Sequence, residues 1–313
     1  MAQAVPRKNF QKLISFYVIL GYSGLTMSKY YNPQKSAAYC FDPVRNGSSQ
    51  DKNSQPFRLS RSKIDLFLEC QRCFYIDRRI GIGRPPGYPF SLNSAVDALL
   101  KKEFDVHRAA GTAHPYMKTY GVDAVPFEHE DMDAWRDSLR RGVTYVHPET
   151  NFNVTGGVDD VWVNPAGELI VVDYKATAKS GEVSLDAEWQ GGYKRQMETY
   201  QWLFRKNGFK VSPTGYFVYV NGDLDAEAFD GKLEFKVKLL PYDGDTAWIE
   251  PTLIKAKACL MSDEIPEAHE ECDYCRYREA VSRTEIKNNS KVDLVKPVKK
   301  EAVLRKPASG GLF

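Results

Sequence analysis

The sequence predicts a mixed α/β layer fold, and three observations predict it: helical periods near both ends, a β-rich middle, and a helix followed by two strands after that middle. The chain has 313 residues, enough to bury a core. Its apolar share of 42% and charged share of 27% are those of an ordinary globular protein, which excludes a wholly disordered chain. A net charge of +2 carries no signal for a polyanionic partner. Six cysteines are too few for a disulfide scaffold in a chain of this size.

Arg7, Lys8 and Lys12 precede the apolar run 13–20, a pattern like the start of a secretory signal but too short to span a membrane. We read either a start at Met27, which we favour, or a short amphipathic extension, and leave 1–26 out of the fold. Residues 27–57 are rich in Asn, Ser, Gln and Pro and predict an extended, mostly disordered lead-in, so 1–57 is an N-terminal extension. Order is expected from Leu59. Ser60 is placed to cap a helix with apolar positions at Ile64, Phe67 and Leu68. The Gly- and Pro-rich stretch 81–89 predicts a loop. A second helix is expected over 94–109, with Val96, Leu99, Leu100 and Phe104 on its inner face.

Residues 151–163 carry two β-rich pieces, 164–167 a turn, and 168–175 a strand apolar enough to be buried on both faces. A long helix follows over 193–207, closed by Gly208. Two strands (216–221 and 233–240), a helix over 246–262 and a cysteine-bearing loop over 266–277 complete the domain, 58–283. The Lys-, Asn- and Pro-rich tail 284–313 is expected to be disordered, with lysines that touch phosphates weakly.

The informative stretch is Gly156-Gly157-Val158-Asp159-Asp160, followed by Val172-Asp173-Tyr174-Lys175. A hairpin of this length brings Asp159 beside Asp173. Two carboxylates so close repel, a divalent hard cation removes the penalty, and oxygen-only ligands suit Mg²⁺ or Mn²⁺. Lys175, two residues beyond Asp173, shares its face of a strand. There it can orient or deprotonate an attacking water and offset charge on a phosphoryl transition state.

At these residues the chain resembles the PD-(D/E)xK nuclease superfamily, specifically the RecB-like branch that includes the AddB nuclease domain and CRISPR-associated RecB-like exonucleases. The resemblance covers about 58–283. The strand ending at Asp159 looks like the second motif of that branch, and Asp173-Tyr174-Lys175 like its D-x-K. Gln196 and Tyr200 match its Q-x-x-x-Y helix, where i and i+4 place both side chains on one face. The resemblance implies a restriction-endonuclease-like core with a mixed central sheet flanked by helices. It also implies a Mg²⁺- or Mn²⁺-dependent deoxyribonuclease with Asp159, Asp173, the Tyr174 carbonyl and one further acid on the metal, and with Gln196 and Tyr200 near the DNA backbone. Branch members carry a His or Glu on an early helix. Here 94–103 has no His; Glu103, on the face of Val96, Leu99 and Leu100, is the first candidate for that ligand, and Asp97, nearer the expected position, the second.

Cys70 and Cys73 precede the core, and Cys272 and Cys275 follow it. Two C-x2-C pairs make a complete four-thiolate set for Zn²⁺ or a 4Fe–4S cluster, which places the chain in a reducing, cytoplasmic compartment. Relatives of this branch with a cluster use one early and three late cysteines. This chain departs from that, with Val281 near the missing third late position and Cys73 extra. Phe74, Tyr75, Arg72, Arg78, Arg79 and Arg84 form an aromatic and basic neighbourhood suited to single-stranded DNA.

The expected function is cleavage of single-stranded DNA or DNA ends in repair, recombination or CRISPR-type processing. The alternative is a catalytically silent DNA-binding scaffold. No G-x-x-x-x-G-K-[ST] is present, so the chain acts alone or borrows a helicase subunit as partner.

Overall fold

The structure, a computed structural model, describes residues 34–48, 50–87, 91–187 and 190–289. The expectations for 1–33 and for the tail from 290 lie outside the described residues. The chain divides into two compact units at His269–Glu270.

In the first unit, strand β1 (Phe57–Ser60) leads into helix α1 (Arg61–Glu69), a short helix α2 (Gln71–Tyr75) and one π-helical turn, Ile76–Ile80. Helix α3 spans Ser91–Ala110, and helix α4 spans Met132–Arg136 after the two-residue strand β2 (Val125–Pro126). Strands β3 (Val143–His147), β4 (Phe152–Gly156), β5 (Asp160–Val163) and β6 (Leu169–Thr177) follow, then helix α5 (Gly191–Lys206). Strands β7 (Thr214–Gly222) and β8 (Phe235–Asp243) and helix α6 (Ile249–Met261) complete it.

Two sheets result: three strands in the order β1-β4-β3, and five in the order β2-β5-β6-β7-β8. β6 is central, antiparallel to β5 and parallel to β7, with α5 as the crossover that a parallel pair requires. This is why Leu169 to Tyr174 are all buried rather than alternating. Val172 and Tyr174 point to one face, into a core with Phe104, Trp162, Val218 and Leu239. Alternation sends Asp173 and Lys175 to the other face. The mixed α/β architecture with mixed sheets flanked by helices is as expected from the sequence.

Several local expectations change. The two β-rich pieces of 151–163 separate into different sheets, β4 and β5, at Gly156-Gly157. The inner stripe of α3 is Leu100, Phe104 and Arg108, spaced by four, so Leu99 lies outside it at 63% exposure. Ser60 occupies the N-cap of α1 but its hydroxyl bonds Ser62 instead of a backbone amide, at 3.0 Å.

Residues 34–57, expected as a disordered lead-in, carry structure instead. Phe41 is buried against Phe57 and Phe152, and the Asp42 side chain caps the single turn Pro43–Asn46. One apolar anchor with satisfied backbone groups was enough to order a segment that composition marks as loop. The second unit, from Glu270, contains helix α7 (Asp273–Asn289). Cys275 therefore sits on a helix rather than in the expected loop, and that helix passes the expected domain end at 283.

Candidate active site

The β5–β6 hairpin does what its length implies. Asp160 pairs with Val172, so Asp159 lies one step further out, beside Asp173. An Asp159 carboxylate oxygen, Oδ2, accepts a hydrogen bond from the Tyr174 amide at 2.9 Å, which fixes it against the strand. Asp173 has 0% exposure, and neither of its carboxylate oxygens accepts a hydrogen bond. Its charge partner is the Lys175 ammonium on Oδ2. Burial first, and the Asp173 charge second, raise the Asp159 carboxyl to about 6.

Lys175 is held from three sides. Besides Asp173, its ammonium donates to Gln196 Oε1 at 3.4 Å and lies 4.5 Å from the Tyr193 ring centre. Gln196 Nε2 then donates to Tyr200 Oη at 3.1 Å, one turn along α5. Burial holds the Tyr200 hydroxyl well above its ordinary value, so it stays neutral. Asp173, Lys175, Gln196 and Tyr200 thus form one continuous polar chain. Its approach needs Gly156, where an added Cβ would sit 2.5 Å from the Tyr200 ring.

The donor set fits a divalent hard cation. Asp159 and Asp173 offer only oxygen, and the unbonded buried carboxylate of Asp173 is a charge whose desolvation is offset by Lys175 and, from further off, by Arg61. A second cation already marks the place: Lys101 Nζ lies 3.6 Å from Asp159 Oδ1 and 2.9 Å from Asp97 Oδ2. The Tyr174 carbonyl, the other expected ligand, belongs to the same β6 segment.

The structure places the two early-helix acids differently. Glu103 falls on the outward side of α3, 54% exposed, where it accepts from His114 Nε2 at 3.0 Å. A face defined by Leu99 pointed to Glu103, and Leu99 itself faces out. Asp97, through Lys101, is the acid that the structure connects to Asp159.

Sequence reading missed the frame around this centre. Asp160 is fully buried between Arg108 and Arg136 and accepts from Tyr174 Oη at 2.8 Å. Arg136 also donates to the Asp159 carbonyl at 3.1 Å, tying the open end of the hairpin to α4. Asp65 joins Arg61 at 2.8 Å to Arg195 at 2.5 Å, locking α1 to the start of α5 beside Gln196. Only the i,i+4 spacing of Arg61 and Asp65 was visible in the sequence; the long-range partners were not. The aromatic and basic neighbourhood is also different from expectation: Phe74 and Tyr75 are buried, and Tyr75 donates to the Ser262 carbonyl at 3.0 Å. Arg79 donates to the Phe41 carbonyl and Arg84 to Glu69.

Cys70 and Cys73 flank the start of α2 and are buried; Cys272 and Cys275, at the start of α7, are buried as well. One C-x2-C pair thus lies in each unit.

The family model of the PD-(D/E)XK nuclease superfamily matches residues 58–280, which takes in the hairpin, the D-x-K strand, α5 and all four paired cysteines. No curated protein matches the chain.

Proposed function

The chain belongs to the PD-(D/E)XK nuclease superfamily, and on that premise we propose that it is a DNA nuclease of the RecB-like branch, acting in the cytoplasm on single strands or DNA ends. The observation that carries the reading is the hairpin contact that sets Asp159 on the Tyr174 amide beside Asp173, with Lys175 on the same face. The hydrogen bond between Gln196 and Tyr200 supports the branch, because it gives the Q-x-x-x-Y spacing a physical use next to Lys175.

Asp159 and Asp173, with the Tyr174 carbonyl and Asp97, would hold Mg²⁺ or Mn²⁺. Once bound, such a cation supplies positive charge that neutralises both carboxylates and polarises the scissile phosphate. Lys175 holds the attacking water by its ammonium and balances the charge that builds on the phosphate oxygens. Gln196 fixes the Lys175 rotamer and, with the neutral Tyr200 hydroxyl, donates to the strand being cut. Asp97 keeps Lys101 engaged, so that Lys101 and the cation compete for the same carboxylates.

The four cysteines extend the proposal. Two matching C-x2-C pairs, all four thiols buried, suit a 4Fe–4S cluster or Zn²⁺ that ties residues far apart in the chain. Iron, sulfide and zinc content of the purified chain distinguishes the two.

The test is a substrate panel. The full chain is incubated with end-labelled single-stranded DNA, duplex, closed circular DNA and RNA, with Mg²⁺, Mn²⁺ or chelator. Metal-dependent loss of linear single strands is the expected result. A well-folded chain inert on every substrate with either metal would leave only the scaffold reading.

A further inference from the structure

Next to the site lies a cleft of about 710 Å³ whose lining includes Arg45, Arg58, Arg61, Lys63 and Arg78, and no Asp or Glu. Two of those cations have acidic partners: Arg61 pairs with Asp65, and Lys63 with Asp77. The other three guanidinium groups are held by neutral acceptors. Arg45 donates to the Ala37 carbonyl at 3.1 Å and the Cys40 carbonyl at 2.7 Å. Arg58 donates to the carbonyls of Arg140 and Arg141 at 2.8 and 3.2 Å, and Arg78 to the Arg58 carbonyl at 2.8 Å. Carbonyls orient a guanidinium without cancelling its charge, and with the Asp42 carboxylate near Arg45 alone of the three, positive charge predominates in this concavity. Arg78 is 5% exposed, and its Nε lacks a hydrogen bond.

Two more observations give the cleft a direction and an origin. Tyr200 and Gly156 line it too, so it opens onto the end of the polar chain that begins at Asp173. Its other wall, including Tyr39, Arg45 and Gln55, comes from upstream of the family-matched span 58–280. Tyr39 is fixed there: its hydroxyl donates to Asp77 at 3.0 Å, and the Arg78 guanidinium stacks 4.0 Å from its ring centre.

We propose that this cleft binds the phosphate backbone of a single strand of nucleic acid and delivers it to Tyr200, with Arg45, Arg58 and Arg78 as its phosphate contacts and residues 38–48 and 50–57 as a substrate-binding wall outside the family-matched span. A flexible strand can descend to the buried Arg78, whereas the convex surface of a duplex meets only the rim. The proposal rests on the nuclease reading for its direction toward Tyr200, but the binding it asserts stands without cleavage.

The test measures binding of the full chain in chelator to a fluorescein-labelled oligothymidylate, and to a duplex of equal length, by anisotropy over a NaCl series. Arg45→Gln and Arg58→Gln are each expected to weaken strand binding about 5- to 10-fold at low salt. Together they should shrink the salt slope by about 1.4, at ~0.7 per phosphate contact on a single strand. Arg58→Lys, which keeps the charge, should retain most of the affinity, and Lys118→Gln, outside the cleft, all of it. Should a glutamine variant fold poorly, Ser62→Glu places a carboxylate in the lining in exchange for one hydroxyl bond to Ser60, and should weaken binding likewise.

Unchanged affinity and salt slope in these variants overturn the proposal. Duplex bound as tightly, with the same losses, overturns the single-strand assignment. Strand binding through these arginines by a chain that cleaves nothing would sink the nuclease reading alone; cleavage without any effect of the variants would sink this one alone.

Discussion

Asp159→Asn should stabilise the metal-free protein at neutral and alkaline pH while abolishing cleavage. Burial first, and the Asp173 charge second, raise the Asp159 carboxyl from an ordinary 3.8 to about 6, with the side chain 23% exposed. A carboxylate raised in this way contributes its full stability below about 3.8 and loses it as pH climbs through about 6. Above that, a gap of about 2 pH units at ~1.4 kcal/mol each sets about 3 kcal/mol against the folded state. Asn removes the charge but keeps an oxygen for the Tyr174 amide, now 2.9 Å away. For a domain of this size, about 3 kcal/mol corresponds to a Tm higher by roughly 6–12 °C. Thermal unfolding followed by fluorescence, at pH 8 and pH 5 in chelator and again with Mn²⁺, reads the effect. The advantage should be largest at pH 8 without metal, shrink to about half at pH 5, and narrow with Mn²⁺, which only the wild type binds well. An Asn variant no more stable than wild type at pH 8, or equally advantaged at pH 5, would refute an electrostatic origin in the Asp159–Asp173 pair.

Two further substitutions probe the frame. Gly156→Ala would place a methyl 2.5 Å from the Tyr200 ring, costing about 1–3 kcal/mol in a urea melt and lowering cleavage as Tyr200 and Gln196 shift; an unchanged melt and rate would show that the approach is not tight. Asp160→Asn leaves Arg108 and Arg136 facing a neutral group, with Asp105 their remaining acidic partner, and should cost about 3 kcal/mol in the same assay. Less than about 0.5 kcal/mol would mean that the buried pair is not a structural tie.

What the sequence made legible was the part governed by short-range geometry. The strand period set Asp173 and Lys175 on one face, the hairpin length set Asp159 beside them, and the i,i+4 rule joined Gln196 to Tyr200. A central strand flanked by a helical crossover follows from the unbroken apolar run at 169–172. What was not legible depends on partners distant in sequence. Strands β1 and β3 pair only through β4. Glu103 was preferred over Asp97 because the face of α3 was drawn through Leu99, and a stripe spaced by four rotates that face away. The ordered stretch 34–57 depends on Phe41 meeting Phe57 and Phe152, a contact that no local pattern announces. Phe74 and Tyr75 seemed a stacking surface because composition does not distinguish a buried aromatic from an exposed one.

The most direct test of the central claim sets wild type and Lys175→Ala side by side, measuring Mn²⁺-dependent cleavage of labelled single-stranded DNA, Mn²⁺ binding and thermal unfolding. Cleavage in the variant should fall at least 100-fold, as expected when a group acting on the transition state is removed. Mn²⁺ binding should be retained or tightened, because the carboxylate of Asp173 loses its competing cation. Equal cleavage by both proteins, with folding and Mn²⁺ binding intact, would contradict the account, since Lys175 would then lie beside the carboxylates without acting on the reaction.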